Sequence, residues 1–353
     1  MRAASVTRRM GDTISHRFSS LRAIAASLTK ESLSELLDDP MVDRVEADCT
    51  IALDDNTPDP KPALTARSVG SWGLDRIDQR SGTDNSYSYG SATGAGARVY
   101  VLDTGVRTSH GDFGGRATTG FSSGCTSGGE SACGGNWLYQ GVITSSSSSC
   151  SSHGTHCASV IGGTTYGVAK GVTIVPVQVL SCEGSGPASG VIAGIEWARQ
   201  DAARHPNARS IISMSLGGGA SSVENAAVRA AHEANVLVVA AAGNEDDDAC
   251  NYSPASAPEA VTVGSTTSSD GRSSFSNHGR CVDIFAPGSR ITAATASSDS
   301  ATGTMSGTSM AAPHVAGAAA QLRAARPEFD ASQASTALVR MSTSDTISVL
   351  PDS

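Results

Sequence analysis

The chain reads as an α/β protein: a three-layer αβα domain with a mostly parallel central sheet, preceded by a small α+β unit. Three observations lead there. From Trp72 onward, short continuous apolar runs alternate with longer helical patterns, the arrangement of a parallel sheet covered on both faces. Aromatic residues make up only 4% of the chain, and 38 of its 353 residues are glycine, which suits close packing of helices on a sheet. Between residues 54 and 66 the stretch DDNTPDPKPALTA turns rich in Asp and Pro and marks an exposed linker. The expected division is therefore residues 1–65 for the small unit and linker, and 66–353 for the large domain.

In the small unit, LTKESLSELLDDP predicts a helix capped by Thr29, with Leu33, Leu36 and Leu37 on one face and Pro40 as its stop. MVDRVEADCTIAL then alternates as a strand. In the large domain, strands are expected over 98–102, 172–180, 210–215, 236–242 and 261–264. Helices are expected over 153–162, 188–204, 221–234 and 308–325. Sites in such sheets form beyond the carboxyl ends of the strands. Asp103, closing ARVYVLD, and the run AAAGN both stand at such ends.

The charge balance, 25 basic against 34 acidic residues for a net −9, argues against nucleic acid or an anionic membrane as partner. No apolar run approaches a membrane span. MRAASVTRRMGDTISHRFSS has no apolar core of a secretory signal, whereas eight cysteines point to an oxidising compartment. A chain that begins downstream of its natural precursor's start reconciles the two.

Chemistry concentrates in GTSMAAPHVAGAAA. Ser309 sits at the mouth of an Ala-rich helix with Pro313 in its first turn. A helix start favours negative charge developing beside it. Asp103 follows a strand and His153 opens SSHGTHCAS, so an acid, a base and a nucleophile each stand at the edge of a regular element. Singly, each has an ordinary reading: a capping Asp, a core His, a Ser N-cap.

Together, VLDTGV, HGTHCAS and GTSMAAPHVAG, in the order Asp, His, Ser, resemble the subtilisin-like serine proteases. WGLDRIDQR, GVAKGV, GSGPASGVIAGI, SLGGG, AAGN, NYSPAS, SFSN and DIFAPG stand in the order of the proteinase K branch, nearest to its aqualysin-like members. The resemblance implies Ser309 as nucleophile, His153 as general base and Asp103 as its orienting acid, with His156 and His314 structural. It implies Asn244 as side-chain oxyanion donor beside the backbone N–H of Ser309. Gly184, Ser185 and Gly186 on one side, and Ser215, Leu216 and Gly217 on the other, become the backbone edges that take an extended substrate. Gly243, within the segments 215–219 and 241–244, lines an S1 pocket for apolar or aromatic P1 residues. FSSLRAIAASLTKESLSELLDDPMVDRVEAD resembles a propeptide's helix and final strand, truncated, without a recognisable strand ahead of the helix. The expectation is thus a secreted proenzyme, monomeric, inhibited by its own propeptide, cut between residues 60 and 71, and acting on proteins and peptides.

The chain departs from the branch at Gln178 and Ser181, at Ser159 after HGTHCA, and in the acidic run Glu245 to Asp248, whose ordinary reading is a solvated loop. By resemblance Cys150 pairs with Cys182 and Cys250 with Cys281, each bridge closing a loop of about thirty residues and contributing roughly 3–4 kcal/mol. Cys125 and Cys133 flank a Gly/Ser-rich loop and are a candidate third pair. Cys157 resembles the family's buried free thiol, and Cys49 falls in the propeptide-like unit. Structural calcium is expected at Asp75, Asp78, Gln79, Asp84 and Ser86, and at the Pro258 and Ala260 carbonyls with Asp283, where the bland reading is solvated turn acids. No His/Cys set has zinc-ligand spacing, and no organic cofactor is expected. Two rivals are a silent fold used for binding, opposed by the intact Asp103, His153, Ser309 and Asn244, and an α/β-hydrolase esterase. The latter needs G-x-S-x-G and the order Ser, Asp, His; here Ala311 takes the last place.

Overall fold

The computed structural model describes residues 13–53, 70–123 and 151–348. β1 (Thr13–Phe18) and β2 (Ala23–Ser27) pair antiparallel, and α1 (Lys30–Asp38) and β3 (Thr50–Ala52) follow. α1 begins where the Thr29 side chain accepts the Ser32 amide. Of its three leucines only Leu36 is buried; Leu33 and Leu37 are exposed. Two expectations need correction. A strand does precede α1: in TISHRF only His16 and Phe18 are buried, so the polar residues between them mask the period of two. The strand expected over 41–53 shrinks to β3, because the acids ahead of it, Glu46 and Asp48, bond to helix starts of the large domain.

The large domain opens with α2 (Trp72–Ile77), β4 (Ala97–Asp103), β5 (Phe121–Ser122), α3 (His153–Gly162) and β6 (Thr173–Gln178). Then come β7 (Ser185–Pro187), α4 (Ala188–Arg204), β8 (Arg209–Met214), β9 (Gly218–Gly219) and α5 (Ser222–Glu233). β10 (Leu237–Ala241), β11 (Tyr252–Ser253), β12 (Ala260–Thr266), β13 (Ile284–Pro287), β14 (Ile291–Ala294) and β15 (Thr302–Met305) lead to α6 (Thr308–Ala325) and α7 (Ala331–Met341).

Seven strands form one sheet in the order β13-β12-β10-β8-β4-β6-β5, every pairing parallel. Alternation along β4 divides its side chains between two cores. Val99 and Val101 pack with α3, α6 and α7; Tyr100 and Leu102 pack with α4 and α5. Each such side chain, fully buried, contributes roughly 1.5–3 kcal/mol. Phe18 and Ile51 of the small unit join the α4/α5 layer, so the unit is docked on that face. Small residues bring α6 close: a Cβ at Gly317 would stand 2.6 Å from that of Val168. The carboxyl ends of β4, β8 and β10 lie together in the sheet, and Asp103, Ser215 and Asn244 stand at or just past them.

Candidate active site

Asp103 ends β4 fully buried. Its Oδ1 accepts the amide of Thr104 at 2.7 Å and the Thr104 hydroxyl at 3.2 Å. Both carboxylate oxygens lie 2.9 Å from Nδ1 of His153, the first residue of α3. Burial alone would lower the imidazole pKa, but the adjoining Asp103 carboxylate outweighs it and raises the ring above the ordinary value of 6.5. Cys157, one turn further on, places Sγ 3.8 Å from the same Nδ1, and burial raises its thiol pKa.

Ser309 stands in the first turn of α6, and its carbonyl accepts the Ser215 hydroxyl at 2.8 Å. Its own hydroxyl donates to the Ser215 carbonyl oxygen at 3.3 Å, while His153 Nε2 is buried without a hydrogen-bond partner. The Ser309–His153 hydrogen bond is therefore not made in this conformer, as is common before substrate binds.

Asn244 is fixed through Oδ1, which accepts the Thr308 amide at 2.8 Å and the Thr308 hydroxyl at 2.9 Å. A Cβ at Gly307 would stand 3.5 Å from Asn244 Nδ2 and 3.6 Å from the Ser309 nitrogen. A side chain at Gly307 would thus touch both the Asn244 amide nitrogen and the Ser309 nitrogen, the two donors that a developing oxyanion would use. Sequence reasoning missed Gly307 and Thr308; the Thr in GTSM was the available signal.

The two expected edges flank β3. Residues 50–52 pair antiparallel with β7, Thr50 with Pro187, Ile51 with Gly186 and Ala52 with Ser185. On the same side Leu53 donates to the Gly184 carbonyl at 2.8 Å, and on the other side Ala52 donates to the Gly217 carbonyl at 3.3 Å. Gly184 has φ +83, and a Cβ there would meet Leu53 at 2.9 Å. Ile51 is 1% exposed in the core that contains Leu180 and Leu216. Two acids secure this segment. Asp48 accepts the Ser189 amide and hydroxyl at the start of α4, at 2.8 and 2.6 Å. Glu46 accepts the Ser221 hydroxyl at 3.0 Å and the Ser222 hydroxyl at the start of α5.

A model of the "Subtilase family" matches residues 94–350. The chain belongs to the subtilase family. An extracellular serine proteinase from Thermus sp. (strain Rt41A) is 47% identical over 328 residues, spanning 93% of this chain and 72% of that protein. Alkaline serine exoprotease A of Vibrio alginolyticus is 47% identical over 304 residues, spanning 85% and 51% respectively. The crystal structure of a cold-adapted subtilisin-like serine proteinase superposes with a TM-score of 0.70 at 46% identity, covering 80% of this chain and 94% of that one. This subtilase is a serine endopeptidase with the three-layer fold of its family.

Elsewhere the expected sites are brought together to different degrees. Asp75, buried, accepts the amides of Asp84 and Asn85 and the Gln79 side chain. Asp84 holds the Ser86 amide and hydroxyl, and Asp78 takes the Ser88 amide through Oδ2, its buried Oδ1 having no partner. At the second site Asp283 accepts the Thr262 amide at 2.8 Å, and burial raises its pKa despite that bond; Ala260 opens β12, the strand that holds Thr262, and Pro258 precedes it by two residues. Cys250 and Cys281 form a disulfide, and Cys182 is disulfide-bonded. Cys150, Cys125 and Cys133 lie outside the described residues, as do the linker and the 65/66 boundary. Cys157 and Cys49 are free thiols, one buried and one exposed. The described His, Cys, Asp and Glu residues close enough to share a metal are Asp103, His153 and Cys157, the acid–base pair and its neighbouring thiol. Gln178 is buried at the end of β6, paired in register with Asp103, and Ser181 accepts the Glu183 amide. Glu245 is exposed, bonded to Asn277 beside Gly243; Asn277, which also takes the amides of Glu245 and Asp247, was not foreseen. No helix among the described residues is long and apolar enough to cross a membrane.

Proposed function

We propose that the chain is a secreted proenzyme whose Asp103, His153 and Ser309 cleave peptide bonds through an acyl-enzyme. The observation that carries the reading is the buried Asp103–His153 pair, joined through Cys157 Sγ to Ser309, with Asn244 and the Ser309 nitrogen both within contact of Gly307. His153 Nε2 takes the Ser309 proton as Oγ attacks the substrate carbonyl, and Asp103 stabilises the imidazolium. The carbonyl oxygen moves between the Ser309 amide and Asn244 Nδ2. His153 then gives its proton to the departing amine, and water, activated by the same ring, frees the acyl group. Substrate pairs with 184–186 and 215–217 through its backbone, which supports broad specificity with an apolar or aromatic P1 residue.

Residues 50–53 already lie in that cleft as an extended strand, which supports a propeptide acting as inhibitor. The cut that frees the peptidase domain falls downstream of this segment, between about residues 60 and 71. The Thermus relative's designation as extracellular and the disulfides here both support secretion.

The partnerless Asp78 Oδ1 and the raised pKa of Asp283 fit a cation at each acidic site. Calcium, when bound there, supplies positive charge that these carboxylates lack. Asp75, Asp78, Gln79, Asp84 and Ser86 would hold the first ion, and Asp283 with the Pro258 and Ala260 carbonyls the second. Mass spectrometry of the purified chain tests the whole reading. The wild type should be cut between about residues 60 and 71, and Ser309→Ala, made in a protease-free host, should stay intact. A cut in Ser309→Ala assigns processing to another protease, and an active chain that is never cut removes the proenzyme.

A further inference from the structure

His153 opens α3, and the residue before it behaves unlike a helix cap. Ser152 stands at the N-cap position with φ −73 and ψ −10, and its hydroxyl makes no bond to the helix. A serine there ordinarily accepts an amide from the first turn. Here its Oγ accepts the amide of Ala296 at 3.0 Å, just beyond β14. Two helical turns later, on the same face, the fully buried Ser159 does the equivalent. Its Oγ accepts the amide of Ala294 at 3.1 Å and donates to Asp112 Oδ2 at 2.7 Å. Asp112 is held in turn by the Thr165 amide at 2.7 Å. Between the two serines, neutral His156 donates from Nε2 to the Ile291 carbonyl at 3.0 Å.

The opposite side of α3 meets the end of β4. The Gly154 amide donates to the Thr104 hydroxyl at 3.2 Å. A Cβ at Gly154 would stand 2.3 Å from the Gly105 carbonyl oxygen, so the helix cannot approach β4 further. On that side the hard contact and the Gly154 and His153 bonds hold the helix start. The serine bonds hold its β14 side, so the helix is fixed against rolling from both.

We propose that Ser152 and Ser159 are positioning residues for the peptidase reaction, clamping α3 to the 291–296 strand so that His153 keeps its orientation between Asp103 and Ser309. Ser159 is also where the chain departs from the sequence pattern of the branch. The inference rests on the catalytic assignment of His153.

The test is steady-state hydrolysis of a peptide substrate by Ser152→Ala, Ser159→Ala and the double variant of the full chain, each beside its melting curve. Each single change should lower kcat about tenfold with KM within about twofold, less than the hundredfold that a misplacement near 1 Å can bring. The double change should cost less than the product, because both bonds hold one strand. Ser152→Thr, which keeps the hydroxyl, should restore kcat. The low-field proton NMR signal of His153 Nδ1–H should broaden in the Ala variants as the imidazole loosens. Unchanged kcat with a lowered melting temperature would make the serines merely structural and overturn the proposal. Should Ser159→Ala not fold, the half-exposed Ser152 carries the same test. Full activity in His153→Ala would instead remove the catalytic assignment itself, a separate result.

Discussion

Glu224 lies on the inner face of α5, in the row of Ala227, Val228 and Ala231, all buried. It is fully buried, and neither carboxyl oxygen has a hydrogen-bond partner. Burial pushes its pKa up to about 8 from an ordinary 4.5. Between those values the folded chain keeps a proton that the unfolded chain releases, so stability falls as pH rises through the window and levels off above it. A span of about 3.5 pH units at 1.36 kcal/mol each makes the full loss roughly 5 kcal/mol, and some 3 kcal/mol of it is incurred by pH 7.

Glu224→Leu should therefore stabilise increasingly with pH. In a Ser309→Ala background, where self-digestion cannot interfere, the variant should melt close to its parent at pH 5. At pH 8 to 9 it should melt about 10 °C higher, taking 2–4 °C per kcal/mol for a chain of this size. Glu224→Gln should flatten the pH dependence as fully but gain less, since its amide is still buried without a partner. Thermal and urea unfolding at pH 5, 7 and 9 decide it. A Leu-minus-Glu difference that stays constant across the three pH values would refute the argument, because only an ionisation raised by folding makes it grow.

Gly307→Ala brings a methyl group against both Asn244 Nδ2 and the Ser309 nitrogen, so kcat should fall by about 10²–10³ with KM little changed; steady-state kinetics showing normal kcat would remove these two donors from the oxyanion role. Asp78→Ala should erase most of the difference in melting temperature between millimolar calcium and chelator, and an undiminished difference would move the ion elsewhere. The pKa values of His156 and His314 are pushed down, chiefly by burial, to about 3 and about 4, so both rings must stay neutral in the fold. Their contribution is complete above pH 6.5 and is lost as pH falls, roughly 3 kcal/mol each by pH 4. His314→Gln in the Ser309→Ala background should flatten the acid limb of unfolding, and an unaltered limb would assign the loss to carboxylates.

The fold is legible in the sequence where its signals are redundant. The helices over 153–162, 188–204 and 308–325 occur with the expected bounds, because Gly163, Pro206 and Pro327 stand just beyond their last residues as stops. The five predicted sheet strands occur within two residues of their expected ends, since buried strands are continuous apolar runs. β9, β11 and β15 were not foreseen: GG, YS and TGTM carry no periodicity, and each exists because a partner strand satisfies it. Glu224 shows the opposite failure. Ser221-x-x-Glu224 has the spacing of a capping box, yet only half forms: the Ser221 hydroxyl accepts the Glu224 amide at 3.2 Å, while the Ser221 amide donates to Ser253. Helical register turns the carboxyl inward, and register wins over the cap.

A carboxylate from the small unit also sits at the start of α5. Glu46 reaches the Ser221 and Ser222 hydroxyls there, and Asp48, two residues on, reaches the start of α4. Helix starts are partly positive and hold unpaired amides, so two acids two residues apart can grip two helices at once. That spacing directs the next residues: Thr50 to Ala52 emerge between β7 and Gly217 with their backbone already extended. The short acidic run VEAD thus aligns a strand that has little strand-forming character of its own. Its period-two appearance in the sequence comes from alternate side chains, Glu46 and Asp48, serving helices, and not from a long strand. That is why the expected strand over 41–53 shortens to three residues while its function as an extended, cleft-filling segment remains available to the peptidase domain.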